Sequence, residues 1–391
     1  MIKRDIEGSV RDLVKGYPAI ALTGPRQSGK TTLARYLFAD RPYVSLENPD
    51  NRELATTDPR GFLEKYHEGA VLDEIQNCPA LFSYLQGVLD ASSEMGRFVL
   101  TGSQQFGLLA GVTQSLAGRI AMVQLLPFTC GEAYAGKPPA LEEVLFRGLY
   151  PPVHDRNLDP SVWNANYMQT YIERDVRKMV NVRDLSVFQR FVRLCAGRVG
   201  QLLNLSQLAA DAGITHNTAR AWISILEAAY IVFLLQPHHR NFSKRIIKTP
   251  KLYFHDTGLA IWLLGMHKPE QIETCPQRGA LFENWVISEM IKHRFNRGVM
   301  SNLYFWRDRA GHEVDVIIEE AGNLIPIEVK SGQTVNSDYF KGIDYWLELA
   351  RPPKPRACLV YAGKENHKRK ETEVVSWRNL AGRGPHPLLT G

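Results

Sequence analysis

A glycine-rich run near residue 24 has the residue types and the spacing that bind a nucleoside triphosphate. It reads Gly24-Pro25-Arg26-Gln27-Ser28-Gly29-Lys30-Thr31, with the glycines, the lysine and the hydroxyl in P-loop order. Glycines let backbone N–H groups surround phosphates, the lysine reaches the β- and γ-phosphates, and the threonine hydroxyl is a Mg²⁺ ligand. An apolar strand pattern over 19–23 and a helical pattern over 31–38 flank the run. The sequence therefore predicts a site for ATP and Mg²⁺.

An apolar run that ends in two acids indicates that the bound nucleotide is hydrolysed. Residues 70–72 are apolar, and Asp73 and Glu74 follow them. We expect Asp73 to hold Mg²⁺ together with Thr31, and Glu74 to polarise the attacking water. The residues expected to contact the nucleotide are Gly24, Arg26, Gln27, Ser28, Gly29, Lys30, Thr31, Thr32 and Asp73.

Two further positions are candidates for acting on the γ-phosphate. A strand pattern over 97–102 leads to Ser103 and Gln104, either of which could sense the γ-phosphate or cap a turn. Arg119 follows a helical stretch and could stabilise charge on the transferred phosphate, or be an ordinary surface arginine. Because such an arginine often comes from a neighbouring subunit, we expect a homo-oligomer, with a ring as one form of it.

Three blocks of the chain must position these residues. Residues 1–150 alternate short apolar strands with amphipathic helices, which predicts a parallel α/β sheet. Residues 151–270 are mostly helical in pattern, and residues 271–391 again alternate apolar strands and helices. A chain of 391 residues is too long for one ordinary core, so the three blocks predict three domains of an α/β protein.

The composition is that of a soluble globular protein. Hydrophobic residues make up 44% and charged residues 23% of the chain, and no apolar run approaches the roughly 20 residues of a membrane helix. The five cysteines lie far apart, which argues against a disulfide framework or a structural zinc site. We therefore expect a cytoplasmic protein without a membrane partner. A net charge of +6 is by itself weak support for nucleic-acid binding.

Several runs resemble one family of nucleotide-binding proteins. GPRQSGKTTLAR, LDEIQ, LTGSQQ and LPFT, with YIERDV and YFHDTGLA further along, resemble bacterial and archaeal AAA-type P-loop ATPases that carry a DUF4143 carboxy-terminal region. The resemblance covers nearly the whole chain. It implies an AAA+ fold with Arg119 in the arginine-finger position, and a middle domain like a winged helix. The chain departs from general AAA+ proteins where Ser103, Gln104 and Gln105 stand in place of a sensor asparagine.

The middle block contains two helix patterns joined by a short turn. Ser206 and Thr215 are the expected N-caps, and Gly213 fits the turn between the helices. On the second helix an apolar face should pack into the core; its members are Ala219, Trp222, Ile223, Leu226 and Ala229. This arrangement predicts a helix-turn-helix.

The outward face of that second helix and a basic stretch after it are candidates for contacting DNA. Helix-turn-helix proteins contact base edges and phosphates from the start of the second helix. The strand-like residues 230–235 lead into a basic stretch that a winged helix would place in its wing. The expected DNA contacts are His216, Asn217, Arg220, Arg240, Lys244, Arg245 and Lys248. Many winged helices instead bind protein or act as spacers, so this alternative stays open.

Two adjacent strand patterns in the last block carry acids and a lysine. Glu328 and Lys330 should share a strand face because side chains alternate, and Asp315 lies on the neighbouring strand. The two carboxylates could share one Mg²⁺, with the lysine beside an attacking water. With Glu283 from a helix upstream, the set resembles the PD-(D/E)xK nuclease core. A cross-strand ion pair is the simpler interpretation, and it stays open.

These patterns lead to one hypothesis and two alternatives. We expect an ATP-binding and ATP-hydrolysing AAA+ protein that binds duplex or branched DNA and moves or remodels it. The first alternative is an ATP-gated, Mg²⁺-dependent DNase. The second is an ATP-dependent conformational switch that binds a protein partner.

Overall fold

The computed structural model describes residues 2–103, 115–172, 185–238, 247–352 and 354–382. Within these ranges the chain forms a parallel sheet, a mostly helical middle and a mixed sheet. None of the described helices has the length and apolar character that crossing a membrane requires.

The first block folds around a five-stranded parallel sheet of order β2-β3-β4-β1-β5. Its strands are β1 Ala19–Thr23, β2 Tyr43–Ser45, β3 Ala70–Asp73, β4 Phe98–Gly102 and β5 Ile120–Gln124. Its helices are α1 Glu7–Val14, α2 Lys30–Leu37, α3 Pro49–Thr57, α4 Pro59–Lys65 and α5 Leu81–Asp90. The strands are continuously apolar because helices cover both faces of the sheet.

Alternation along β1 shows how the two faces are packed. Ala19 and Ala21 pack into a cluster with α4 and α5, whereas Ile20 and Leu22 pack with α1 and α2. Because all five strands are parallel, their carboxyl ends meet at one edge, where ligands of such sheets bind. The P-loop, Asp73 at the end of β3 and Glu74 directly after it lie at this edge.

The middle of the chain is helical apart from one antiparallel hairpin. Its helices are α6 Cys130–Tyr134, α7 Leu141–Arg147, α8 Pro151–Asp155, α9 Pro160–Tyr167 with a π-helical continuation over Met168–Ile172, α10 Leu185–Ala196, α11 Leu205–Ala212, α12 His216–Ala228, α13 Thr257–Leu263 and α14 Glu270–Glu273. The hairpin pairs β6 Val232–Leu235 with β7 Lys251–Phe254. Helices α11 and α12, followed by this hairpin, occupy the segment predicted as a helix-turn-helix.

One predicted cap of this helix pair is wrong and the other is confirmed. Asn204, and not Ser206, caps α11, because its side chain accepts the backbone N–H of Gln207. Asparagine and serine are equally good caps, so the sequence alone did not separate the two positions. Thr215 caps α12 as predicted, and Gly213 has the left-handed conformation that ends α11.

The last block contains a long helix and a six-stranded mixed sheet of order β12-β13-β11-β10-β9-β8. Its strands are β8 Leu303–Arg307, β9 Glu313–Glu320, β10 Asn323–Lys330, β11 Ala357–Tyr361, β12 His367–Arg369 and β13 Thr372–Ser376, and its α-helices are α15 Arg278–Asn296 and α16 Lys341–Ala350. β9 and β10 form the predicted antiparallel hairpin, with Ile327 opposite Val316. One large apolar cluster extends through the middle and last blocks, and the last block contains two smaller clusters besides.

Candidate functional site

The P-loop adopts a conformation that its glycines make possible. Gly24 has a φ of 144°, and a side chain there would collide with the carbonyl of Leu125. Gly29, with a φ of 93°, is the residue directly before helix α2. Both conformations favour glycine. The loop therefore curves around the amino end of α2, where backbone N–H groups and the helix dipole attract anions.

The side chains of the loop fit a triphosphate. Lys30 is 6% exposed, and its Nζ donates to the carbonyls of Gly24 at 3.0 Å and Pro25 at 2.7 Å. Ser28 is fully buried, and its Oγ has no hydrogen-bond partner in the part of the chain that the structure describes. A buried cation and an unpaired hydroxyl beside a helix amino terminus match the charge and the acceptor oxygens of a triphosphate.

Asp73 lies at the end of β3 among three hydroxyl donors. Thr31 Oγ1 donates to Asp73 Oδ1 at 3.0 Å, Tyr43 donates to Oδ2 at 2.6 Å, and Thr101 also donates to this carboxylate. Burial and the hydrogen bond to Asp73 raise the pKa of Tyr43, so the phenol stays a donor. Hydroxyl and carboxylate oxygens are the ligands Mg²⁺ prefers, so the Thr31–Asp73 pair fits the predicted metal site.

Glu74 lies next to the predicted sensor serine. Ser103 Oγ donates to Glu74 Oε2 at 3.1 Å, and the side-chain amide of Gln76 donates to the same oxygen. Glu74 itself has a left-handed backbone, with a φ of 56°. Two donors on one oxygen fix the direction of the carboxylate. Gln104, the other sensor candidate, lies outside the described residues.

Arg119 lies at the amino ends of the strands, whereas the P-loop lies at their carboxyl ends. Its carbonyl accepts the N–H of Ala19, the first residue of β1, whereas the P-loop follows the last residue of β1. The five residues of β1 separate these two ends of the sheet by about 16 Å. The guanidinium instead pairs with Asp90, with Nη2 2.8 Å from Oδ2. Arg119 therefore does not face the P-loop of its own chain.

A cavity of about 210 Å³ opens beside the P-loop. Leu33, Phe128 and Pro152 contribute apolar walls, and Asp155 contributes a carboxylate. The cavity adjoins Gln27, Ser28, Gly29 and Thr32. The cavity combines apolar walls with polar and charged side chains next to a phosphate loop, and this mixture suits the base and the ribose of a nucleotide.

Arg4 lines this cavity, and no pattern in the sequence indicates its role. It is 4% exposed and donates to the carbonyls of Ser28 and Leu126, each at 2.8 Å, and to Glu132 at 3.1 Å. A buried arginine with this set of acceptors is fully paired. Its bond to the Ser28 carbonyl holds the P-loop from the amino-terminal segment.

The four residues that resemble a nuclease core lie together in the last block, joined by Lys251 and Glu313. Lys330 Nζ lies 2.5 Å from Glu328 Oε1 and 3.7 Å from Asp315 Oδ2. Lys251 Nζ lies 3.0 Å from Glu283 Oε1 and also pairs with Glu313. We call this set the acidic cluster; its members are Lys251, Glu283, Glu313, Asp315, Glu328 and Lys330. Lys251 belongs to β7 of the middle hairpin, so the cluster joins two blocks.

Burial governs the ionisation of the acidic cluster. It raises the pKa of Glu283 to about 7, against the opposing effect of Lys251. It raises the pKa of Glu328 to about 8, with a further rise from the charge of Asp315. One oxygen of Glu328 accepts no hydrogen bond from the described residues, as a protonated carboxyl can tolerate. Among the described residues no three His, Cys, Asp or Glu side chains are arranged to hold a metal ion.

The predicted DNA contacts lie partly within the described residues. His216, Asn217 and Arg220 are exposed at the start of α12, and Lys248 is exposed before β7. Ala219, Trp222, Ile223 and Leu226 are buried as predicted, and Ala229 is half-buried. Arg240, Lys244 and Arg245 lie outside the described residues.

Comparisons with known proteins identify three domain families along the chain. Residues 16–134 match the family described as an AAA domain, residues 138–270 match a domain of unknown function, DUF8612, and residues 278–380 match the domain of unknown function DUF4143. The uncharacterized proteins Rv2008c of Mycobacterium tuberculosis and Mb2031c of Mycobacterium bovis are each 30% identical over 379 residues, covering 95% of this chain and 83% of the relative.

Two solved structures are more distant. The Walker-type ATPase paby2304 of Pyrococcus abyssi is 15% identical with a TM-score of 0.47, and the likeness covers 67% of this chain and 96% of that one. AMPPCP-bound DnaA of Aquifex aeolicus is 12% identical with a TM-score of 0.29, covering 57% and 85%. The family assignment does not rest on these low scores. With its P-loop, its AAA domain and its DUF4143 region, the chain belongs to the family of AAA-type P-loop ATPases that carry a DUF4143 carboxy-terminal region.

Proposed function

We propose that this ATPase binds duplex or branched DNA and uses ATP hydrolysis to move or remodel it. The observation that carries the proposal is the exposed start of α12, in a helix pair followed by a β-hairpin. His216, Asn217 and Arg220 present two hydrogen-bonding side chains and a positive charge there. In helix-turn-helix proteins the second helix of such a pair enters the major groove, and this role for α12 is part of the proposal.

Charge near the hairpin supports the same proposal. The segment that joins β6 to β7 contains Arg240, Lys244, Arg245 and Lys248, and residues 236–250 include no acid. A winged helix carries its wing at this position in the chain, and basic side chains there would pair with phosphates. We expect phosphate contacts to supply most of the affinity and to make it depend strongly on salt.

In the proposed hydrolysis each residue at the carboxyl edge of the first sheet has one task. Lys30 and the backbone of the P-loop hold the phosphates, and Thr31 with Asp73 would hold Mg²⁺. Bound Mg²⁺ would neutralise charge on the phosphates. Glu74 orients the attacking water and accepts its proton at the carboxylate, while Ser103 fixes the direction of that carboxylate.

Arg119 would act on a neighbouring chain, so the proposal includes a homo-oligomer. Mixing chains with Lys30→Ala and chains with Arg119→Ala tests this role, since each variant alone should be inactive. In a mixture some sites would combine an intact Lys30 with an intact Arg119 of the partner chain. We expect turnover to reappear in the mixture; a mixture as inactive as its parts would remove Arg119 from the site.

The experiment that tests DNA remodelling is ATP turnover with single-stranded, duplex and branched DNA at low salt. We expect duplex or branched DNA to stimulate turnover, and Arg220→Ala to weaken this stimulation while basal turnover stays unchanged. Arg11→Ala is the matched control, because Arg11 is also an exposed helical arginine but lies on α1. If no DNA changes turnover or electrophoretic mobility, the proposed function is wrong.

The geometry supports the DNase alternative less well. Lys330 Nζ lies 2.5 Å from Glu328 and 3.7 Å from Asp315, and so pairs with the two carboxylates that would have to share a metal ion. Incubating the protein with labelled single-stranded, duplex and junction DNA and with Mg²⁺ or Mn²⁺ shows whether it cleaves DNA. Cleavage that disappears in both Asp315→Ala and Lys330→Ala would establish the DNase.

A protein-binding switch would instead give tightly retained nucleotide, a copurifying partner and no affinity for DNA.

A further inference from the structure

Two hydrogen bonds connect the middle of the chain to the P-loop. The Tyr230 hydroxyl donates to Thr23 Oγ1 at 3.0 Å, and Thr23 is the last residue of β1, directly before Gly24. The Trp163 indole Nε1 donates to Gln27 Oε1 at 3.1 Å. The P-loop is thus held near its start and near its middle by side chains that do not belong to the parallel sheet.

Both donors are held rigidly. Trp163 is 6% exposed, and its ring packs against the rings of Tyr150 and Tyr167, with centroids 4.6 Å and 4.8 Å away. The Tyr150 hydroxyl in turn donates to the Tyr167 hydroxyl at 3.2 Å. Tyr230 is 3% exposed and has a left-handed backbone, with a φ of 56°, which a bulky residue rarely adopts. Such a backbone persists only where its surroundings impose it.

Both acceptors occupy positions that matter for nucleotide binding. Gln27 also has a left-handed backbone, with a φ of 61°, between Arg26 and the buried Ser28. Thr23 Oγ1 donates to the Val123 carbonyl at 3.3 Å while it accepts from Tyr230, so one chain of hydrogen bonds runs from the middle block across β1 to β5. The sequence predicted Gln27 as a nucleotide contact, whereas its side-chain carbonyl accepts a hydrogen bond from Trp163.

We propose that Trp163 and Tyr230 are positioning residues that hold the P-loop in its ATP-binding conformation. An indole N–H can only donate, so Trp163 fixes which way the Gln27 amide points. A loop that is ordered before ATP binds loses less conformational entropy on binding. By reciprocity, a ligand that moves the middle block changes the affinity of the P-loop for ATP, and ATP changes the affinity for that ligand.

Conservative substitutions separate this role from simple packing. Trp163→Phe and Tyr230→Phe each remove one donor and keep an aromatic ring. Tyr150→Phe is the matched control, because it removes a hydroxyl from the same aromatic group without a described contact to the P-loop. Each variant is characterised by ATP affinity, KM, kcat and the urea midpoint of unfolding, all without DNA, so the result is independent of the proposed DNA function.

We expect Trp163→Phe and Tyr230→Phe to weaken ATP binding by about two- to tenfold, as the loss of one hydrogen bond allows. Tyr150→Phe should bind ATP like the wild type even if it is less stable. Gln27→Ala should weaken binding as much as Trp163→Phe, and combining the two should add little, because both remove one contact. ATP should also change the tryptophan emission of the wild type, and this change should be smaller in Trp163→Phe.

Two results would overturn the proposal. One is ATP affinity in Trp163→Phe and Tyr230→Phe no weaker than in Tyr150→Phe, which would leave the two residues with a packing role only. The other is independent, multiplying effects of Gln27→Ala and Trp163→Phe. If Trp163→Phe does not fold, Tyr230→Phe and Gln27→Ala decide the outcome.

Discussion

The P-loop site and the acidic cluster contain the same types of residue, but these residues contact different kinds of partner in the two places. Each has a lysine and carboxylates at the ends or faces of sheet strands. At the P-loop, Lys30 donates to the carbonyls of Gly24 and Pro25, and Asp73 accepts from hydroxyls; these groups are neutral. In the acidic cluster, Lys251 and Lys330 pair directly with carboxylates.

This difference determines which site attracts an ionic ligand. Neutral donors and acceptors hold a charged group in place without cancelling its charge, so the P-loop keeps its attraction for phosphate and metal. Direct ion pairs cancel charge and compensate for the loss of hydration on burial. We therefore expect the acidic cluster to act on stability, by joining the middle hairpin to the last sheet, and the P-loop site to act on ligands.

The largest expected effect is the loss of ATP turnover on substituting the P-loop lysine. Lys30→Ala should lower turnover by about 1000-fold, because it removes the cation that stabilises charge on the phosphates. Lys330→Ala, the corresponding change in the acidic cluster, should leave turnover within about twofold of the wild type. Steady-state ATPase assays of the two variants measure this contrast; equal losses in both would break it.

The next largest effect is on stability, and it falls on the acidic cluster. Lys251→Met should lower the free energy of unfolding by about 3 kcal/mol, because it leaves the buried carboxyl of Glu283 without its cation, whereas Glu313 keeps Arg307. Lys248→Met is the control, since it removes an exposed lysine three residues earlier. Urea denaturation compares the two; an unchanged midpoint in Lys251→Met would mean that the ion pairs are not structural.

The smallest effect is a dependence of stability on pH. The pKa of Glu328 is about 8 in the fold and near 4.5 when unfolded, so the native state binds the proton more tightly. Between these values the free energy of unfolding falls as the pH rises. In Glu328→Gln this decline should be shallower, whereas the exposed Glu371→Gln should keep it. Urea midpoints at pH 6 and pH 8.5 test the sign; a steeper decline in Glu328→Gln would contradict it.

Local spacing in the sequence was enough to predict much of the fold and part of the site. Three features depend on neighbours within a few residues, so their patterns predict their geometry. They are the P-loop, the two acids at the end of β3 and the Thr215 cap. Asp315, Glu328 and Lys330 came together because alternation and a hairpin bring them to one face.

The partners that decide the character of each site come from distant segments. Lys251 precedes Glu313 by a whole helical region, and nothing in its own neighbourhood indicates that it pairs with that residue. Arg4, Trp163 and Tyr230 contact the P-loop segment from other elements for the same reason. Such contacts depend on how helices and sheets pack, which a single sequence pattern does not specify.

Counting bound Mn²⁺ tests the central contrast most directly. Mn²⁺ replaces Mg²⁺ at oxygen ligands, and its binding to the full chain can be followed by equilibrium dialysis with and without AMPPCP. We expect each chain to bind one Mn²⁺ in the presence of AMPPCP. This binding should be lost in Lys30→Ala and kept in Asp315→Ala. A Mn²⁺ that binds without nucleotide and disappears in Asp315→Ala would contradict it, because the acidic cluster would then be a metal site.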